Sequence, residues 1–282
     1  MMTTLDEQGV FLINSLAHSQ VDVYVNIDKK NADSLILGSE IQNDRVTFIR
    51  PIEVNWGGYS QIQAEIALLE EMSLRAKYDY VHLLSGKDAL IKPIGDVVRF
   101  FEQVPQMEFV QLEERNTQYI FEKVQYRYPL QEMVGRGKNI GWAAQKLMLQ
   151  IQKKIGLHEN VVERYGNWYK GSQWFSITGE FAEYILRNRM QIEEVFKGKQ
   201  AVDEIFIPTL LMNSSFRSRL SNSEFGNLRY IDWNDQKNSP KTLTSDDFEK
   251  IMDSGKLFAR KIDWAVDKSL MEKLCNADDV NK

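Results

Sequence analysis

Most residues able to do chemistry in this chain of 282 amino acids are carboxylates and amines. There is one cysteine, Cys275, and the three histidines, His18, His82 and His158, share no metal-ligand spacing. A zinc site or an internal disulfide is therefore not expected. The acids of interest sit at the ends of predicted elements. Asp28 closes a strand, and Asp88 follows a strand that runs into Ser85-Gly86. In open α/β sheets ligands bind beyond the carboxyl ends of strands, so both aspartates are candidates, with turn or helix-cap duty as the alternative. Asp203 and Glu204 open a predicted helix, where a solvated first-turn glutamate is also favoured by the helix dipole.

The elements that must position these groups alternate in character, which predicts an α/β fold. Residues 21–27, 46–49, 80–84, 108–112 and 173–178 read as strands. A helix starts at Ser60, with Gln63 at capping-box spacing and Ile62, Ile66, Leu69 and Met72 at helical intervals. Residues 95–104 and 203–212 also read as helices, and another helix follows the 173–178 strand through Leu186. Residues 142–155 form an amphipathic pattern with Leu147, Ile151 and Ile155 on one face. Thr244 with Asp247 is a capping-type start, and Gly255 suits the residue after that helix. Residues 113–141 read as irregular.

Bulk composition narrows the class. A hydrophobic content of 43% and a charged content of 27% are ordinary for a globular domain. The net charge of −5 disfavours general nucleic-acid binding. No stretch approaches the roughly 20 apolar residues of a membrane span, and residues 1–10 lack the pattern of a signal peptide. Any membrane association is expected to be peripheral or through a partner. The single cysteine suits a reducing cytoplasm.

Five segments, in order, resemble the core-2/I-branching family of β-1,6-N-acetylglucosaminyltransferases, which includes the protein xylosyltransferases. They are NIDKK (26–30), VNWGGYSQIQAEIALL (54–69), YDYVHLLSGKDALIKP (78–93), GSQWFSITGEFAEYIL (171–186) with VDEIFIPTLL (202–211), and SPKTLTSDDFEKIMDSGKLFARKID (239–263). The resemblance implies a bacterial member with one glycosyltransferase domain over residues 1–282. It implies a GT-A-like, Rossmann-like nucleotide-sugar-binding fold with a mixed central sheet. Residues 1–110 would be mainly the nucleotide-binding half and 111–282 mainly the acceptor-binding and catalytic half. The family's opening strand is missing here, and the natural protein is expected to begin upstream.

The resemblance also implies roles. Glu204 matches the base that takes the proton of the acceptor hydroxyl as it attacks the anomeric carbon with inversion. Asp203 beside it is a helix cap or a support. Lys261 matches the cation on the departing diphosphate; Lys241 and Arg260 are further donor-site cations, with ordinary surface charge as their alternative. Asp28 would help hold the nucleoside. Trp56 would line the donor pocket, or pack on the Gly57-Gly58 turn. Asp88 would contact donor hydroxyls or brace its loop. Trp233 and Trp174 are acceptor-binding candidates, Trp174 with a core role as its alternative. Glu113, Arg115, Lys123 and Arg127 mark a further acceptor region.

No two aspartates stand two positions apart, and Ser85-Gly86-Lys87-Asp88 occupies the place of the metal-holding Asp-x-Asp motif. The expectation is transfer from a UDP-sugar to a carbohydrate hydroxyl with no metal and no other cofactor. N-acetylglucosamine is the leading donor sugar and xylose the alternative. A catalytically impaired glycan-binding relative is the other reading. The implied setting is the cytoplasm, with peripheral association at the inner membrane face with a glycan assembly system.

Overall fold

Short runs rich in β-branched and aromatic residues make most of the strands of this protein, described by a computed structural model covering residues 1–41, 43–104, 106–113, 117–135, 140–222, 224–233 and 239–276. In chain order they are β1 (Val23–Val25), β2 (Val46–Phe48), β3 (Tyr80–His82), β4 (Asp88–Leu90), β5 (Phe109–Leu112), β6 (Gly171–Thr178), β7 (Arg229–Ile231) and β8 (Phe258–Arg260). The contacts divide the chain into two units. The first comprises residues 1–51, 83–106 and 224–282, and the second residues 52–82 and 107–223.

In the first unit β1 and β2 run parallel, with Val23 opposite Val46. On the other edge of β1, Met2 makes a parallel bridge to Ile27: Met2 N–H donates to Asn26, and Asp28 N–H donates to Met2. The mixed sheet lies in this unit, in the order β4-β8-β7, antiparallel between β4 and β8 and parallel between β8 and β7. The Glu7–Ser15 helix is capped by the Asp6 carboxylate, which accepts from Gly9 N–H, and it buries Val10, Leu12 and Ile13. These side chains join Ile27, Ala89, Ala259, Leu270 and Met271 in one core. The Asp247 carboxylate accepts from Thr244 N–H at 3.0 Å, and Gly255, at φ +67°, ends the helix that follows, as the sequence predicts.

The second unit is built on β6, which pairs antiparallel with β3 on one side and β5 on the other. The Ser60–Arg75 helix buries Ile62, Ile66, Leu69 and Met72. The Asp203–Met212 helix has Ile205, Phe206, Ile207 and Leu211 wholly buried, so it is covered on nearly every side. At Gly171 a Cβ would lie 1.8 Å from the carbonyl oxygen of Gln111, which explains a glycine where β6 meets β5.

The α/β architecture is as expected, and three local readings change. Ser60 is not an N-cap: the cap position is Tyr59, and Ser60 N–H and Oγ both donate to the Glu132 carboxylate, at 3.1 and 2.7 Å. The Ser60–Gln63 box is displaced because a distant acid satisfies the helix end. The stretch read as irregular contains helices Thr117–Val124 and Gln131–Val134. The amphipathic helix spans Ile140–Lys154, and its Leu147 and Ile151 face solvent. No helix among the described residues is long and apolar enough to cross a membrane.

The β5–β6 approach gives a direct test. Gly171→Ala should destabilise the protein by about 1–3 kcal/mol, because backbone must move to admit the methyl group. Gly38→Ala, whose Cβ would meet only the Phe48 ring at 3.5 Å, should be tolerated in the same urea titration.

Candidate active site

In the second unit the chemistry gathers at the first turn of the Asp203–Met212 helix. Asp203 points inward and Glu204 outward; the Glu204 side chain is 40% exposed. Its carboxylate lies 3.1 Å from the Lys170 ammonium, which also meets Glu113 at 2.6 Å. The sheet dictates this meeting: Glu113 follows β5, Lys170 precedes β6, and Glu113 N–H donates to the Lys170 carbonyl. The Tyr119 ring lies 5.8 Å from the same ammonium. Burial alone would lower the pKa of Lys170, but its bonds to Glu113 and Glu204 outweigh burial and raise it. Lys170 is thus a fixed positive charge between two carboxylates. Farther along the helix, Pro208 has no N–H to give the Glu204 carbonyl.

Beneath this accessible trio lie two buried carboxyl groups. Asp203 accepts from Gln61 Nε2 at 3.0 Å, and Glu65 accepts from Gln173 Nε2 at 2.8 Å. Burial, then the neighbouring Glu204 charge, pushes Asp203 up to about 7. Burial pushes Glu65 up to about 8, against the opposing hydrogen bond from Gln173. Gln61 and Glu65 are one helical turn apart, and Glu65 falls within the apolar face of the Ser60–Arg75 helix.

The Trp56-Gly57-Gly58 turn borders the same helix start. Gly57, at φ +70°, accepts from Ala201 N–H at 2.8 Å and donates to Gln61 Oε1 at 2.6 Å. Gln131 Nε2 donates to the Trp56 carbonyl at 3.0 Å. The backbone is held from two sides while the Trp56 indole is exposed. Gln61 therefore serves both the turn and Asp203, linking Trp56 to the turn that carries Glu204.

In the first unit the donor-site candidates surround the Ser85–Asp88 turn. Asp88 is 1% exposed, and its carboxylate receives Ser85 N–H and the Arg260 guanidinium, the latter at 3.0 Å. Asp88 braces its loop, and Arg260 points at Asp88. Close by, the wholly buried Arg229 donates to the Leu83 carbonyl at 3.0 Å; burial lowers its pKa to about 9. Lys87 reaches Gln8 at 3.1 Å, Asp263 at 3.2 Å and Asp6 at 3.4 Å. The backbone beside Lys261 is tied on both sides, since its carbonyl accepts from Leu243 N–H and Ile262 N–H donates to the Lys87 carbonyl. Among the described residues Lys261 forms no ion pair. Lys241, two residues before Leu243, is paired with Asp247 at 2.6 Å, and that bond raises its pKa. Asp28 caps the turn after β1, accepting from Lys30 N–H at 3.1 Å. Among the described residues no three His, Cys, Asp or Glu converge as a metal site would need.

Of the remaining candidates, Lys123 borders the Glu204 cluster, its ammonium 5.2 Å from the Tyr119 ring that Lys170 also approaches. Arg127 pairs with Glu159 and donates to the Lys197 carbonyl. Lys123 donates to Gln200 at 2.6 Å. Trp174, half-buried, alternates along β6 with the buried Gln173 and Phe175, so it faces the other side of the sheet. Trp233 is exposed just after β7. Arg115 lies outside the described residues. Sequence reading passed over Lys170, Gln61, Glu65 and Arg229. A polar pair inside the Ile62/Ile66/Leu69 stripe was the available signal for Gln61 and Glu65.

The buried acids make stability depend on pH. Glu65 is protonated in the folded protein up to about pH 8 and ionises near 4.5 when unfolded. The folded state therefore binds the extra proton between those values, and stability must fall as pH rises through that window. Denaturant titrations at pH 6 and pH 8 should show the loss, and Glu65→Gln should reduce it, leaving the part that belongs to Asp203; an unchanged slope in that variant would assign the proton elsewhere.

Comparison with known proteins supplies the class. A search of curated sequences returns no match. A family model described as Core-2/I-Branching enzyme matches residues 14–255, which include the Ser85–Asp88 turn, Trp56 and the Asp203-Glu204 pair and stop short of Arg260 and Lys261. With most of the chain covered, and an α/β fold that presents one acidic first turn and one amine-rich turn, this protein belongs to the Core-2/I-branching family and is a sugar-transferring enzyme, a glycosyltransferase.

Proposed function

We propose that the chain is an inverting, metal-independent transferase that moves a sugar, N-acetylglucosamine first among candidates, from a UDP-sugar to a carbohydrate hydroxyl. The observation that carries this reading is the accessible Glu204 carboxylate beside Lys170, over two buried acids. In the proposed reaction the acceptor oxygen forms a bond to the anomeric carbon as the bond from that carbon to the diphosphate breaks. Glu204 takes the acceptor's proton, and the configuration inverts. Lys170 fixes the carboxylate's direction and keeps Glu113 from repelling it.

The departing diphosphate needs positive charge, and Lys261 is suited to supply it, with Lys241 as a second cation. Metal independence is supported by the chemistry at the Ser85–Asp88 turn, where Asp88 is committed to Arg260 and the neighbouring side chain is an amine. Asp28 and Trp56 are proposed for the nucleoside, Trp56 by stacking on the base. Trp174, Trp233, Glu113 and Arg127 are proposed for the acceptor. The proposed setting is assembly of a surface polysaccharide.

UDP release from a panel of UDP-sugars tests these roles, with UDP-xylose as the rival donor. Turnover should persist in EDTA. Glu204→Gln should lower kcat by about 10²–10⁴-fold with UDP affinity unchanged, and full activity in that variant would refute the base. Lys261→Ala should weaken UDP binding roughly tenfold or more, the effect of losing one charge-assisted bond. Unchanged affinity would remove Lys261 from the diphosphate.

A further inference from the structure

The Ile140–Lys154 helix is seated the wrong way round for a helix of a globular core. Its inner side is held by glutamines. Gln145, buried, accepts from Leu130 N–H at 3.1 Å and donates to Gln131 at 2.9 Å; Gln152 accepts from Arg127 N–H at 3.0 Å and donates to the Arg127 carbonyl at 2.9 Å. Its outer side is aliphatic. Ile140, Leu147, Ile151 and Ile155 follow one another at helical spacing and are 90, 63, 50 and 66% exposed. Met148 extends the stripe along one margin, and Leu157 is exposed just beyond its end. Trp142, nine positions before Ile151 and so half a turn round from the stripe, lies on the other side of the helix with the Lys146 ammonium 5.3 Å from its ring.

Charge identifies the occupant. In a chain of net charge −5, residues 133–158 contain Arg136, Lys138, Lys146, Lys153 and Lys154 and neither Asp nor Glu. Lys153 is paired with Glu122 at 2.8 Å, while Lys146 and Lys154 are exposed. An exposed aliphatic stripe on a segment that carries basic residues and no acid, with Lys154, seven positions after Leu147, at its edge, suits a helix lying in the plane of an anionic bilayer, its apolar face among the acyl chains and its amines toward the phosphates. A second copy fits less well, because a two-fold contact on this stripe would set lysines against lysines.

We propose that the Ile140–Lys154 helix, with Ile155 and Leu157 just beyond its end, is a membrane-docking element that seats the protein on an anionic lipid surface. The inference stands apart from the sugar-transfer reading, since lipid binding is measured without turnover.

Flotation of the full chain with vesicles tests it. Wild type should rise with vesicles containing a third phosphatidylglycerol, and at least about tenfold less with pure phosphatidylcholine or in high salt, as screening requires. Leu147→Glu with Ile151→Glu should abolish flotation while leaving circular dichroism and the thermal melt unchanged, because both side chains face solvent. Wild type absent from both vesicle types would overturn the proposal, as would equal binding by the variant. A wild-type dimer that the variant makes monomeric, without lipid binding, would assign the stripe to a second copy instead.

Discussion

Two adjacent carboxyl groups on one helical turn cannot both be taken out of water as anions, and this protein separates them. Asp203 turns inward, where burial favours its neutral form and Gln61 supplies a hydrogen bond. Glu204 turns outward to Lys170. The separation depends on a helix buried on its remaining sides, which leaves the first turn no freedom to roll. Gln61 ties that turn to the Trp56-Gly57 backbone, so the accessible acid and the exposed indole share one anchor. Of the buried pair, Glu65 is mainly neutral at neutral pH while Asp203 is at its titration midpoint, and the amine beside Glu204 offsets the negative charge that remains there.

The amine-rich turn in the other unit follows a complementary rule. A carboxylate as buried as Asp88 requires a partner, and Arg260 provides it from the neighbouring strand. That commitment changes what the turn can do. The oxygens that would face a cation are spent on the fold, while Lys87 and Lys261 lie on backbone tied by Ile262 and Leu243. If amines hold a diphosphate here, as proposed, the demand falls on backbone register, because a lysine stem is flexible and only its root can be fixed.

What the residues alone disclosed follows from the range of the forces involved. The strands at 21–27, 46–49, 80–84, 108–112 and 173–178 were legible because local pattern and propensity agree there. So was the Thr244–Asp247 start, whose bonds join neighbours. Strands β4 and β7 were not legible: Asp-Ala-Leu lacks strand formers, Arg-Tyr-Ile is too short to show a pattern, and each pairs only with the distant β8. Glu132 capping Ser60 across 72 positions displaced a well-formed local signal. At the site, Glu204 was legible only through family resemblance. Lys170 was hidden because its meaning comes from standing opposite Glu113 in the β5–β6 ladder. The helix at 140–154 showed its amphipathic period plainly, but period does not say which side faces in. The hydrogen bonds of Gln145 and Gln152 decide that.

The order in which the chain visits its two units has a practical side. The mixed sheet takes β4 from the first third of the sequence and β7 and β8 from its last quarter, so the partners of one small sheet are separated by the whole of residues 107–223. A nascent chain that has emerged only as far as β6 holds Asp88 with no guanidinium to answer it and a β4 edge with nothing beside it. The first unit can thus close only after β8 has been made. Fragments chosen for expression face the same constraint: any cut that keeps residues 1–223 and drops the remainder discards the central strand of that sheet.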